Sequence, residues 1–459
     1  MEVKLRIRSK MLLAFFLLVF VGMVYAYAQI ELSLPKPKVH LATVERGRIL
    51  TESGTVLAET VEGKRVYPQK TLAGQVVGYM GRDSGLEGLE KAYNDRLEAG
   101  KDVVITLDTT FQSVAESVLA QKVVEQDAEF GSIVALDVHT GKILAVANYP
   151  AFDPNPDRWE TNKWGELKPV REHYNPVATR NHALLDEFEP GSVVKALTVA
   201  ALLNDGATDM NREYPCPMTR KVGRKTIHDV VARPKGKYNL NLYGILRYSS
   251  NVGMSHLVEN FPPERLHDYF DQYGFGNRPT LGNVYVADGK LNDWRSWGLI
   301  GRATNSFGQG MSATTLQIAS AYNVIASDGE FVPPQLVLHE QTSEPRRVLD
   351  EKTTELSRDL LRHIVEEGLP HQAGINGYDL GGKTGTAQVA VGGRYSNDIY
   401  SSVFAGIFPL ERPRVTMVVM VYGAKKLHHG SQVAAPIFRD IAAEMMSKWG
   451  IAPSTIAKT

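Results

Sequence analysis

Ser192 and Lys195 are the pair whose types and spacing most directly suggest chemistry. They stand in Glu189-Pro190-Gly191-Ser192-Val193-Val194-Lys195, ahead of the apolar run Ala196 to Leu203. On a helix, positions i and i+3 share a face, so the lysine amine can reach back towards the serine oxygen. A serine hydroxyl is a poor nucleophile until a base takes its proton. A lysine serves as that base only when burial or a neighbouring cation lowers its pKa, and the apolar run can supply burial. The competing reading is structural. Serine is a favoured N-cap, Pro190-Gly191 is a natural helix entry, and S-x-x-K by itself is common.

Two further polar motifs follow along the chain. Ser249-Ser250-Asn251 is ordinary turn or cap material in isolation. Read as chemistry, Ser249 relays a proton and the Asn251 amide holds a substrate backbone. Lys383-Thr384-Gly385-Thr386 lies in DLGGKTGTAQVAVGG. There, Gly377 to Thr384 also fits the phosphate-loop spacing G-x-x-x-x-G-K-[ST], which requires a strand before it and a helix after it. Upstream, HQAGINGYD is broken by glycine. Downstream, TAQVAVGGRY alternates like an edge strand and a turn. The later apolar strand Val415 to Val421 does not end in the acid a magnesium site needs. The phosphate loop is therefore rejected.

The elements that must position these residues emerge from the rest of the chain. Its 459 residues allow more than one domain, and 51 basic against 51 acidic side chains give a formal net charge of zero. That balance gives no sign of a nucleic-acid partner. The single cysteine, Cys216, excludes an internal disulfide, and no metal or cofactor pattern is present. Lys4, Arg6, Arg8 and Lys10 precede the uncharged run Met11 to Ile30. About 20 apolar residues suffice to cross a bilayer, and the basic flank predicts a cytoplasmic N-terminus. Ala26-Tyr27-Ala28 has the form of a signal-peptide cleavage site, but the apolar run is longer than a typical signal core. Leu34-Pro35-Lys36-Pro37-Lys38 reads as a short stalk. Helices are expected from Leu89 to Leu97, from Thr110 to Val124 and from Ala434 to Trp449. SIVALDVHTGKILAVANYP reads as a hairpin around His139-Thr140-Gly141, and SSVFAGIFP and RVTMVVMVYGA read as strands. Early and late strands with helices between them suggest an α+β domain whose sheet is closed by both ends. His428-His429 reads as loop, Trp294 and Trp297 as surface packing, Met445-Met446 as core, and Arg346-Arg347 as a solvated loop.

S-x-x-K, a serine/asparagine triplet and K-T-G in this order form the motif set of β-lactamases and penicillin-binding proteins. With the N-terminal anchor, the chain resembles a class B penicillin-binding protein over nearly its whole length. Arg46-Gly47-Arg48-Ile49 with Gly54 and Leu57-Ala58 is similar to the family's N-terminal pattern, with Thr51-Glu52 in place of its usual Asp-Arg pair. Gly88-Leu89-Glu90 with Tyr93 and Leu97 is similar to the next motif, and GSIVALDVHTGKILAVANYPAFDPN to the opening of the transpeptidase domain. The resemblance implies a cytoplasmic tail (1–10), a transmembrane helix (11–30), a mixed pedestal or dimerisation-like domain (31–130) and a transpeptidase domain (131–459). The last would have an antiparallel sheet, flanking helices and an all-helical subregion, and would lie outside the cytoplasm of a bacterium.

The family mechanism implies the following roles. Ser192 attacks the carbonyl between the terminal D-alanines of a peptidoglycan stem peptide. Lys195 is the base, Lys383 the cation that helps keep it neutral, and Ser249 the relay to the leaving amine. Asn251 holds the donor amide, and the Ser192 and Thr386 N–H groups form the oxyanion hole. Lys383-Thr384-Gly385-Thr386 binds substrate, with the Thr384 and Thr386 hydroxyls on the terminal carboxylate or its β-lactam counterpart. No cofactor is implied. The acyl-enzyme passes to an amine on a neighbouring strand, and a SEDS-type membrane glycosyltransferase and other division proteins are the implied partners. SSNVG and AAPIFRDIAAEMM look more like division (FtsI-type) than elongation enzymes. A β-lactamase, a D,D-carboxypeptidase, and a β-lactam sensor or non-catalytic scaffold are the alternatives on the same fold. No E-x-x-L-N pattern follows Ser249, which argues against the lactamase.

Overall fold

The computed structural model describes residues 2–32, 45–163, 165–234, 236, 238–340, 343–368, 372–391 and 394–453. The expected stalk, Leu34 to Lys38, lies outside the described residues, as does the expected turn at Gly392-Gly393. The chain divides into two units, residues 1–44 and 45–459. The first is helix α1, Glu2–Leu32. Its stretch Lys10–Tyr27 has a mean hydropathy of 2.0 and is long and apolar enough to cross a membrane.

The second unit opens with a small mixed sheet of β1 (Ile49–Thr51), β2 (Val56–Val61), β3 (Lys64–Val66) and β4 (Val103–Ile105). Its order is β3-β2-β1-β4, with only the β1–β4 pair parallel. The expected helix from Leu89 to Leu97 is two short helices, Gly88–Ala92 and Asn94–Glu98. Tyr93, at φ −118° and ψ 26°, separates them, and its buried hydroxyl accepts the Asn283 N–H at 3.3 Å. Helix α2, Thr109–Glu125, begins at Asp108, whose carboxylate accepts the Thr110 and Phe111 N–H groups at 2.8 and 2.9 Å.

The main sheet joins β5 (Phe130–Asp137) and β6 (Ile143–Tyr149) to three late strands. Between them in sequence lie the helical elements that carry two of the motifs. These are α3 (Val194–Asn204), the hairpin β7–β8 (Thr219–Val222 and Lys225–His228), α4 (Leu242–Arg247), α5 (Asn251–Leu257), α6 (Thr315–Ala326) and α7 (Glu351–Glu367). The late strands are β9 (Gly381–Val391), β10 (Arg394–Phe408) and β11 (Val415–Tyr422), and α8 (Ala434–Lys448) closes the domain. The five strands are antiparallel in the order β9-β10-β11-β5-β6, so strands from both ends of the domain meet at the β11–β5 pair.

Both faces are covered at β5, β6 and β11, which is why these strands read as nearly continuous apolar runs. Ile133, Ala135, Met417, Val419 and Val421 face α2 and α8. Val134, Leu136, Val418 and Met420 share a core with α3 and α6. Met445 and Met446 are core, as expected. Trp297 is not surface packing: it is buried beside Phe270 and donates its indole N–H to the Asn292 carbonyl at 2.9 Å. Arg346-Arg347 is exposed but pairs as a short strand with Glu330-Phe331.

Candidate active site

The nucleophile motif occupies the junction of a 3₁₀ turn, Gly191–Val193, with α3. Gly191 enters it at φ +60°, a left-handed conformation that glycine adopts without strain. Ser192 therefore lies inside the turn, whose N-cap is Pro190, and the helix that follows is capped at Val193 rather than at Ser192. The turn is fixed from below by α6, whose Tyr322 hydroxyl donates to the Val193 carbonyl at 2.6 Å. Thr198 on α3 donates to the Ser306 carbonyl at 2.9 Å. Ser192 is half-buried, and Lys195 is fully buried.

Lys195 differs from the i, i+3 expectation. Its ammonium donates to the carbonyl and the hydroxyl oxygen of Ser249, at 2.5 and 3.1 Å. Among the described residues, the Ser192 hydroxyl has no hydrogen-bond partner. Ser249 has φ +51°, unusual for a side chain with a Cβ, and it offers both oxygens to the lysine. Lys383 reaches the same Ser249 hydroxyl at 3.3 Å and the Thr384 carbonyl at 3.1 Å. One serine oxygen thus lies between two buried ammonium groups. Burial, reinforced by Lys383, pushes Lys195 well below the ordinary lysine range, with Asp229 opposing the shift. Burial alone lowers Lys383 to about 7.

Lys383-Thr384-Gly385-Thr386 lies within β9, an edge strand of the sheet. A strand rather than a loop leading into a helix holds these residues, which removes the phosphate-loop reading on structural grounds. Gly385 is required by close packing: a Cβ there would lie 2.8 Å from the Pro190 carbonyl oxygen. That contact seats β9 against the Ser192 turn. Thr384 is buried. Thr386 is half-buried, and its oxygen accepts the Gly430 N–H at 2.9 Å, leaving its proton to donate. His428 and His429 lie in the loop just before the turn 430–433 that leads into α8, as the loop reading expects.

Asn251 opens α5, donating its side-chain amide to the His228 carbonyl at 3.1 Å. The residue that organises this corner, Asp229, is absent from the sequence motifs. Its carboxylate accepts the Ser250 hydroxyl at 2.6 Å and the Val252 N–H at 2.9 Å, and it pairs with buried Arg233. Arg233 in turn bonds the Cys216 carbonyl. Ser250 caps α5 by accepting the Gly253 N–H at 2.8 Å. The one sequence signal for Asp229 is an acid inside an otherwise basic stretch.

This arrangement is suited to acyl transfer. It places a serine at a turn, a buried amine whose proton is loosened by its surroundings, a hydroxyl linking that amine to a second one, and a strand edge along which an extended peptide can lie. Residues 131–443 match the family described as the penicillin binding protein transpeptidase domain. Residues 46–123 match the penicillin binding protein A dimerisation domain. The chain is 32% identical to the probable peptidoglycan D,D-transpeptidase PenA of Neisseria meningitidis over 426 residues, 86% of this chain and 70% of that protein. It is 31% identical to peptidoglycan D,D-transpeptidase FtsI of Escherichia coli over 428 residues, 86% of this chain and 69% of FtsI. Among solved structures, penicillin binding protein 3 of Mycobacterium tuberculosis complexed with aztreonam has a TM-score of 0.80 and 29% identity. It covers 91% of this chain and 99% of the solved one. Site geometry, whole-length similarity and fold agree, and the chain belongs to the penicillin-binding protein transpeptidases, in their class B, FtsI-like branch.

Proposed function

We propose that this protein is a serine-type peptidoglycan D,D-transpeptidase of cell division, acylated on Ser192 by stem peptides and by β-lactams. The observation that carries the assignment is the convergence of Lys195 and Lys383 on the Ser249 hydroxyl. Burial lowers the Lys195 pKa and so favours the neutral form that can accept a proton. In the acylation step the Ser192 oxygen attacks the carbonyl between the two terminal D-alanines, and its proton passes to Lys195. The Ser192 and Thr386 N–H groups stabilise the developing oxyanion. The peptide C–N bond then breaks, and the leaving D-alanine amine takes a proton delivered from Lys195 through Ser249. In the second step a primary amine of another strand attacks the ester, forms the cross-linking amide and returns the hydroxyl to Ser192.

The substrate lies along β9. The Thr384 and Thr386 hydroxyls hold the terminal carboxylate, Gly385 keeps the strand against the Ser192 turn, and Asn251 holds the donor backbone amide. The chain order is a cytoplasmic tail (1–10), a transmembrane helix (11–30), a pedestal (31–130) and the transpeptidase domain (131–459) outside the cytoplasm. Glycan polymerisation falls to a SEDS-type membrane glycosyltransferase. Intact mass after adding a penicillin tests the reading. A stable adduct is expected on the wild type and none on Ser192→Ala. No adduct on the wild type would refute the assignment, and rapid release of hydrolysed drug would favour a β-lactamase.

A further inference from the structure

The charge of this neutral chain is unevenly distributed. Residues 217–237 contain seven Lys and Arg and a single acid, the buried Asp229. The described part of this stretch is built around the β7–β8 hairpin, in which Val222 pairs with Lys225 across Gly223-Arg224. Gly223 takes φ +57°, as a two-residue hairpin turn requires. Two of the cations have internal roles: Arg220 pairs with Glu259 and bonds the Ser255 hydroxyl, and Arg233 pairs with Asp229. Lys221, Arg224 and Lys225 at the tip are exposed, and among the described residues they have no ion pair.

The base of the hairpin is fixed to the active site. The His228 carbonyl holds the Asn251 amide, and Asp229 holds both Ser250 and the first turn of α5. Lys225 stands three positions from His228 on β8, about 10 Å along the strand at ~3.3 Å per residue. The Debye length at physiological salt is about 8 Å, so at about 10 Å the tip charges are largely screened from Asn251 and act on substrate arms that touch the hairpin itself. A cationic tip with no ion pair among the described residues, rooted beside the residue that grips the substrate amide, suits a polymer whose peptide arms carry carboxylates.

We propose that the Thr219–His228 hairpin is an electrostatic docking arm for carboxylate-bearing peptide arms of the polymeric wall substrate. The proposal rests on the D,D-transpeptidase reading above. The arm gathers peptide strands beside Asn251, and a small β-lactam does not depend on it.

The test uses the full chain in detergent micelles, the triple variant Lys221→Gln/Arg224→Gln/Lys225→Gln, and co-sedimentation with purified peptidoglycan. Wild-type binding should weaken as salt rises from about 0.05 M to about 0.3 M. The variant should bind about tenfold more weakly at low salt, with a flatter salt dependence. Peptidoglycan whose carboxylates have been amidated should bind the wild type no better than the variant binds untreated polymer. Penicillin adduct formation should stay within about twofold, consistent with a folded active site. Equal binding by variant and wild type would overturn the proposal, as would indifference to amidation or a parallel loss of the penicillin adduct. Loss of binding to phosphatidylglycerol vesicles with unchanged peptidoglycan binding would assign the hairpin to a membrane surface instead. A wild type that forms no penicillin adduct refutes the transpeptidase reading, while the sedimentation result still decides the role of the hairpin.

Discussion

Two clusters of buried charge in this molecule are built on opposite plans. In the pedestal, Arg46 and Arg65 converge on Glu90 at 2.8 and 2.6 Å, and the Glu90 side chain is fully enclosed. Asn94 and the Gly47 carbonyl take further guanidinium hydrogens. In the catalytic centre, Lys195 and Lys383 are equally enclosed, yet each donates only to neutral oxygens. Asp229 acts on Lys195 through its field rather than through a bond. The first cluster pairs its charges and fixes the Gly88–Glu98 segment against β1 and β3. The second leaves like charges unpaired, so that one ammonium loses its proton easily. Buried charge supports the fold where it is matched and is reactive where it is not.

The largest effects should come from the unmatched pair. Lys383→Met should lower penicillin acylation by about 10²- to 10⁴-fold. It should also stabilise the fold. The pKa of Lys383 is lowered to about 7 by burial, so between about pH 7 and the ordinary lysine value of 10.5 the unfolded chain binds more protons than the native one. Native stability therefore rises with pH across that window, and the full penalty is present below it. At ~1.4 kcal/mol per unit the penalty is of order 5 kcal/mol. Thermal unfolding at pH 6 should show Lys383→Met several degrees above wild type, with the gain shrinking towards pH 10. A lower midpoint at pH 6 would show that Lys383 is matched after all and erase the contrast.

The matched cluster should respond in the opposite sense. Glu90→Gln leaves two buried guanidinium groups facing a neutral amide, a change that costs about 3–5 kcal/mol. The thermal midpoint should fall, and adding Arg65→Met should recover part of the loss. Acylation of the folded fraction by a penicillin should be nearly unchanged. Denaturant titration together with adduct formation separates the two quantities.

The difference between the clusters also explains what was legible in the sequence. Ser192, Lys195, Ser249, Asn251 and Lys383 to Thr386 stand in short local patterns, and the structure joins Lys195, Ser249 and Lys383 directly and seats Gly385 against the turn that carries Ser192. The inner strands β5 and β11, with β6, were legible because their residues are buried and almost uniformly apolar. The direction of Lys195 was not. Helical spacing pointed it at Ser192, whereas Ser249, 54 residues away, presents a carbonyl freed by its left-handed backbone. Asp229 was illegible for a related reason: its partners Ser250 and Val252 lie more than 20 positions on, and only the folded hairpin delivers it to them.

Asp229 lies between the two plans, matched to Arg233 and yet felt by Lys195. Asp229→Asn should lower penicillin acylation about 10- to 100-fold by loosening Ser250 and the start of α5. The carboxylate raises the Lys195 pKa, so its loss should let Lys195 deprotonate at lower pH. The rising limb of acylation against pH should shift to lower pH. A lower rate with an unmoved limb would confine Asp229 to a structural role.

The smallest effect should appear where charge is paired in water. Glu52, which replaces the arginine of the family's usual Asp-Arg pair, receives the Lys142 ammonium at 2.8 and 2.9 Å. The side chains of Lys142 and Glu52 remain 29% and 53% exposed. The contact joins the pedestal turn after β1 to the start of β6, so a structural role is a natural inference from distance alone. Solvent and salt screen such a pair, and holding two long side chains costs rotamer entropy. Glu52→Gln should therefore change unfolding free energy by less than about 1 kcal/mol and leave acylation untouched. A loss as large as that of Glu90→Gln would mean that this junction, rather than the enclosed Arg46–Glu90–Arg65 cluster, holds the pedestal to the catalytic sheet.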